Sequence, residues 1–264
     1  MFDKDKKGGK TEVAERSNTM PSTEVLNFAA DAGAGLEGAD KDSFAIPFIA
    51  ILQGLSPQME TVEGAKLGLF INTITNDLSN IVTVVPCAFQ RRYLEWEPRS
   101  KGGGFRGMHE VSEVESSGKY KRDEDPKSKT LGQLVTPDGN VLKDTRIHYV
   151  LVVNADGSFA PAIISMSSTQ IKKSKRWLSR IQGVQLKDSS GKAFNPPSFS
   201  HAYCLTTVKE SNNEGEWYGY EIGAPVAVTD PILYAAAKAL HAQAVAGAIQ
   251  AAPPQPEAEG GEKF

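Results

Sequence analysis

Apolar positions along this chain fall into short runs separated by turn residues, and most of the runs alternate in the manner of half-buried strands. Ile81–Tyr93 (IVTVVPCAFQRRY) is the strongest of them, with Pro86 marking an edge or a bulge. Leu69–Thr75 predicts a shorter strand ahead of the turn at Asn76-Asp77. Tyr149–Val153 and Phe159–Met166 flank Asn154-Ala155-Asp156-Gly157 and predict a hairpin by turn chemistry. Ala202–Lys209 and Trp217–Ile222 flank the polar segment Ser211–Gly215 and predict a second. Helical signals are fewer. Residues 168–182 predict a helix capped by Ser167 or Ser168 and stopped at Gly183, with Ile171, Leu178 and Ile181 toward the core. Asp230-Pro231 is an N-cap followed by a first-turn proline, opening an Ala-rich helix to about residue 249. The apolar run Phe44–Leu52 predicts a short buried helix with Pro47 in its first turn, ending near Gly54.

Hairpin connections imply an antiparallel sheet. The expected fold is therefore β-rich α+β: an antiparallel OB-like barrel with helical additions, with an open α+β sandwich as the alternative. Its expected extent is residues 42–249. Residues 98–146, rich in Gly, Lys, Asp, Glu and Ser, predict a long mobile insertion or β-arm with a turn at Pro137–Asn140. Residues 1–41 and 250–264 carry too few large apolar side chains to offset the entropy of ordering, so both tails are expected to be disordered.

Composition narrows this little. The chain has 264 residues, room for one large domain, and its formal net charge of −3 makes it no polycation. The two cysteines, Cys87 and Cys204, lie far apart in apolar runs and form no CxxC pair, which excludes a zinc ribbon and predicts two buried free thiols. Basic residues in Met1–Lys10 precede no apolar stretch, so no secretion signal is expected, and no run approaches membrane-spanning length. The expected location is the cytoplasm, that of the host if the chain is viral.

Charge placement is more informative. Val141–Lys192 holds nine Lys/Arg and three Asp, a local +6 that leaves the remainder of the chain at −9. Within the predicted helix, Lys172, Lys173, Lys175, Arg176 and Arg180 occur with no acid among them. Such cations repel by a few tenths of a kcal/mol per close pair, and an anionic partner would relieve that. A second cluster, from Phe89 to Arg106, interleaves Arg91, Arg92, Tyr93, Trp96, Arg99, Lys101 and Arg106 at the mouth of a Gly-rich loop. Alternation puts Phe89, Arg91 and Tyr93 on one strand face. Aromatic rings stack bases and arginines hold phosphates without regard to sequence. The competing reading has Phe89 and Tyr93 in the core and the arginines in solvent.

Chemistry beyond binding finds no support. Gly102–Gly107 lacks the spacing of a phosphate-binding P-loop, and the four histidines form no metal-ligand pair. No nucleophilic triad or spaced carboxylate motif stands out, so no catalytic residue, metal or cofactor is expected. The C-terminal segment carries Glu257, Glu259 and Glu262 before a terminal Phe264, an acidic peptide suited to docking on a basic pocket with an apolar floor.

Several stretches carry a family resemblance: FAIPFIAILQGLSPQ, GLFINTITN, VVPCAFQRRYLEWEPRSKGGGF, HYVLVV, PAIISMSSTQIKKSKRWLS and WYGYEIG. Over about residues 44–225 the chain resembles tailed-phage proteins of replication gene neighbourhoods, single-stranded-DNA-binding proteins of the OB type. The tail is similar to that of bacterial and phage single-stranded-DNA-binding proteins, which end in an acidic tip with a C-terminal Phe. It departs from them in its three Gly-interrupted glutamates and in Lys263 beside Phe264. The resemblance implies sequence-independent binding of single-stranded DNA in phage replication or recombination. In that reading Trp177, Tyr93 and Trp96 stack bases, and the tail contacts phage replication proteins. A homo-oligomer is compatible with the pattern, and an annealing activity needs only the same basic groove. The alternative is a phage structural or assembly protein that uses the 98–146 insertion as an interaction arm.

Overall fold

The computed structural model describes residues 30–39, 43–213, 215–247 and 249. The chain divides into two units, residues 1–44 and 45–264. In the first, residues 30–39 form successive turns closed by backbone bonds such as Ala34 N to Asp31 O at 3.0 Å. Of the tails expected at 1–41 and 250–264, residues 1–29, 40–41 and 250–264 lie outside the described residues.

The second unit opens with strand β1 (Ile49–Ile51), one-turn helix α1 (Gln58–Thr61), and strands β2 (Phe70–Asn72) and β3 (Leu78–Ser79). The main sheet follows with β4 (Val82–Glu97), β5 (Gly104–Glu110), helix α2 (Val111–Ser116), β6 (Lys121–Arg122), β7 (Leu134–Val135), β8 (Val141–Val153) and β9 (Phe159–Ser167). Helix α3 (Ile171–Gln182) and the β10–β11 hairpin (Leu186–Lys187, Ala193–Phe194) come next. Strands β12 (His201–Asn212) and β13 (Gly215–Ala227) and helix α4 (Pro231–Val245) complete it.

Pairing is antiparallel throughout the strands, and the sheet curls into a half-barrel. Its spine is the long β4–β8 ribbon, paired from Thr83↔Val153 to Trp96↔Val141. At one end the ribbon is flanked by β12–β13 and β9; at the other by β5 and the short β6–β7 pair. The open side of the first end is spanned by β1. Pro47 O accepts from Ile163 N of β9 at 2.9 Å, and Tyr220 of β13 donates its hydroxyl to Ile49 O at 3.0 Å. The Gln53 side chain also bonds both the amide and the carbonyl of Tyr218.

The two sheet faces bury different cores. Val84, Val150, Ile164, Met166, Tyr203, Leu205 and Tyr220 line the inner face with Trp177 of α3. Val85, Cys87 and Leu151 line the outer face with Leu233, Ala237 and Leu240 of α4. Helices α3 and α4 therefore lie on opposite sides of the sheet. The register slips between Pro86 and Ala88, a bulge where the missing proline amide breaks no ladder bond. Asp230 caps α4 through Ile232 N at 2.8 Å, with Pro231 in the first turn, as its sequence predicts.

Two expectations are corrected and a third is narrowed. The Phe44–Leu52 run forms β1 and not a helix. A short run of β-branched Ile46, Ile49 and Ile51 is compatible with either, and pairing to β2 and β9 decides it. Of the two readings of 98–146, the β-arm is the one formed: β5 pairs with β4, and residues 141–146 extend β8. Cys87 is buried but Cys204 is exposed, because alternation turns it away from inward-facing Tyr203 and Leu205. Among the described residues no helix is long and apolar enough to cross a membrane.

Candidate functional site

Antiparallel register puts directly opposed residues on one face. Phe89 opposes His148, Arg91 opposes Arg146, and Tyr93 opposes Asp144. These six side chains continue the inner face beyond the core, and α3 packs on that same face. His148 Nε2 and Ser174 Oγ are 2.8 Å apart, and the His148 ring stacks on Trp177 with centroids 4.6 Å apart. Phe89 lies tilted against the same imidazole, with centroids 5.1 Å apart, and is 38% exposed. A line of rings thus runs from Tyr203 through Trp177 and His148 to a half-open Phe89, with the arginines next along the ribbon.

The arginines are held by carboxylates. Arg91 bonds Asp144 with Nε (3.1 Å to Oδ1) and Nη2 (2.9 Å to Oδ2), and Nη2 also lies 2.9 Å from Glu115 Oε1 of α2. The Arg91 guanidinium sits 5.6 Å from the Tyr93 ring centroid, and the Tyr93 hydroxyl reaches Glu115 at 3.4 Å. Burial, and then the nearby Asp144, raises the Tyr93 pKa, so the phenol stays a neutral donor. Arg146 is buried; its Nη2 bonds Asp144 at 3.1 Å and its Nε has no partner. Burial pushes the His148 imidazole down to about 3, so it packs as a neutral ring.

Helix α3 divides its cations between two jobs. Lys173 pairs with Glu210 at 2.9 Å and Glu221 at 3.6 Å, and Arg180 donates to the carbonyls of Ile222 and Gly223. Both strap the helix to β12–β13. Lys172, Lys175 and Arg176, spaced i, i+3, i+4, are exposed and form no ion pair among the described residues. Of the five acid-free cations of the sequence, the ones with no ion pair or carbonyl partner among the described residues are therefore Lys172, Lys175 and Arg176.

Other candidates lie elsewhere. Trp177, expected to stack bases, is 1% exposed and stands in the core, because the inward line of α3 runs through Ser174 and Trp177 instead of Ile171 and Leu178. Arg92 and Trp96 occupy the opposite face of β4 from Arg91 and Tyr93. There Arg92 pairs with Glu110 at 2.9 Å, and Trp96 packs edge-on against Phe105 at 5.7 Å. Arg106 pairs with Glu97, and Lys101 donates to Asp138 O at 2.6 Å. The Arg99 side chain and the tail residues Glu257, Glu259, Glu262 and Phe264 lie outside the described residues.

So the structure brings together Phe89, Arg91, Tyr93, Asp144, Arg146 and Glu115, while Lys172, Lys175 and Arg176 stand on the exposed side of α3, away from the Ser174–Trp177 line that packs on that sheet face. Arg146 is not among the sequence candidates, because the insertion or β-arm expected at 98–146 ends on it. The alternation Asp144-x-Arg146-x-His148 was the available signal for a strand. Among the described residues no group of three or more His, Cys, Asp or Glu is placed to hold a metal ion.

The family model described as Pam3 phage gp34-like protein matches residues 14–250, and the chain belongs to that phage family. No curated protein and no solved structure matches it.

Proposed function

We propose that this member of the Pam3 phage gp34-like family binds single-stranded DNA without sequence preference, as a non-enzymatic OB-like protein of phage replication or recombination. One observation carries the reading: Lys172, Lys175 and Arg176, with no ion pair among the described residues, stand on the exposed side of α3, and that helix packs on the sheet face that carries the half-open ring of Phe89 and the Arg91–Tyr93 pair. Phosphates would lie along α3 and the arginines. Bases would stack on Phe89 and Tyr93, each worth about 1–3 kcal/mol. In this reading Trp177 supports the platform from beneath. The chain acts in the host cytoplasm, and its acidic tail, through Glu257, Glu259, Glu262 and Phe264, contacts replication proteins.

The test is fluorescence anisotropy with a labelled oligo-dT at two salt concentrations. Wild type binds at low salt, with log K falling by about 0.7 per log salt for each phosphate contacted. Lys172→Glu with Arg176→Glu weakens binding at least tenfold and flattens that slope. No anisotropy change at low salt overturns the reading. Recovery of the chain in purified particles without DNA affinity would select the assembly role instead.

A further inference from the structure

The two carboxylates on Arg91 differ in standing. Asp144 projects from β8 in the middle of the sheet and forks the guanidinium with two atoms. It also takes the Arg146 Nη2, so it alone faces two register-opposed guanidiniums. Glu115 is half exposed and holds the site through one oxygen, Oε1, which lies 2.9 Å from Arg91 Nη2 and accepts a long 3.4 Å bond from the Tyr93 hydroxyl. It belongs to a six-residue helix that buries only Val114. A short helix with one buried side chain belongs to the least stable part of a fold. With Glu115 in place, two guanidiniums face two carboxylates; with Glu115 withdrawn, one positive charge is left beside the Tyr93 hydroxyl and the Phe89 ring.

We infer that Arg91 and Tyr93 form a phosphate subsite that Glu115 fills in the free protein, and that a nucleic-acid phosphate enters it by exchanging with the Glu115 carboxylate. This rests on the single-stranded-DNA reading above. A phosphodiester presents the same charge-assisted acceptor geometry to Arg91 Nη2 as the carboxylate does, and it accepts from the Tyr93 hydroxyl as well. Phe89 stands two residues along the same strand face, about 7 Å away, where a base attached to that phosphate can stack. Glu115 therefore acts as an internal competitor, and α2 is the element displaced on binding.

Oligo-dT affinity of wild type, Glu115→Gln, Glu124→Gln and Arg91→Ala, and of Arg91→Ala combined with Glu115→Gln, tests this. Glu124 is an exposed carboxylate elsewhere on the arm, so its variant carries the same change in net charge. Glu115→Gln is expected to bind about two- to fivefold more tightly than wild type, the range of an exposed ion pair. Its log K–log salt slope stays close to that of wild type, because the same phosphate occupies the subsite in both complexes. Glu124→Gln stays near wild type, and Glu115→Gln adds nothing in the Arg91→Ala background. If wild type binds and the two Gln variants are equal, the exchange is overturned while the binding function stands. If no variant binds at low salt, both fall.

Discussion

The indole of Trp177 lies flat on the imidazole of His148, with ring centroids 4.6 Å apart and planes 24° from parallel. This pair is the joint between α3 and the β4–β8 ribbon, and it seats the helix on the sheet face that carries Arg91, Tyr93 and Arg146. Trp177 is 1% exposed and also meets Tyr203 edge-on at 5.8 Å. Trp177→Ala is expected to cost about 3–5 kcal/mol by urea unfolding, the range for a buried aromatic removed from a packed core. Trp177→Phe keeps a ring on His148 and should cost clearly less. A loss below about 1 kcal/mol for the alanine variant would mean that α3 is not anchored here.

His148 makes that joint sensitive to acid. Burial lowers its pKa to about 3, against an ordinary value near 6.5 in an unfolded chain. The folded state thus binds fewer protons between those values, and stability falls as pH drops through about 6 toward 3. The expected slope from this group is about 1.4 kcal/mol per pH unit. His148→Gln keeps a partner for Ser174 and removes the titration. Urea unfolding at pH 7, 5 and 4 should show a steeper loss in wild type than in the variant. Parallel losses would place the acid sensitivity elsewhere.

The cysteines offer a direct check on the faces of the sheet. Burial pushes the Cys87 thiol up to about 12, while Cys204 is exposed on β12. A thiol reagent such as DTNB at pH 8 should modify one cysteine quickly in the native protein and the second only on unfolding. Cys204→Ser should abolish the fast phase. Two fast thiols, or none, would contradict the burial of one and the exposure of the other.

Much of the architecture is legible in the chain because turn chemistry and alternation agree there. Asn154-Ala155-Asp156-Gly157 and Ser211–Gly215 mark hairpins that the register reproduces, and Asp230-Pro231 marks the start of α4. Phe89, Arg91 and Tyr93 share a face as alternation requires. What local pattern could not convey is pairing at a distance. Phe44–Leu52 became a strand because β2 and β9 receive it. Residues 104–110 became ordered because β4 runs past its apolar segment and offers an edge. The cations read as one groove separate for the same reason: Arg92 and Arg106 already have acids opposite them, and only the register reveals those partners.

The deepest charge on the site face also sets its stability. Arg146 is buried with an 11% exposed side chain, and Asp144 is the carboxylate bonded to it. Asp144→Asn keeps the shape but withdraws that charge from both guanidiniums. An uncompensated buried cation costs about 3–5 kcal/mol, reduced here because Arg91 keeps Glu115 and both groups touch solvent. A net loss of about 2–3 kcal/mol is expected in urea unfolding. Arg146→Met leaves no buried charge behind and should cost less. Combining it with Asp144→Asn should cost less than the sum of the two, a coupling of at least about 0.5 kcal/mol. Additive losses would show that Arg146 draws nothing from Asp144, and the face would then be held together by its rings alone.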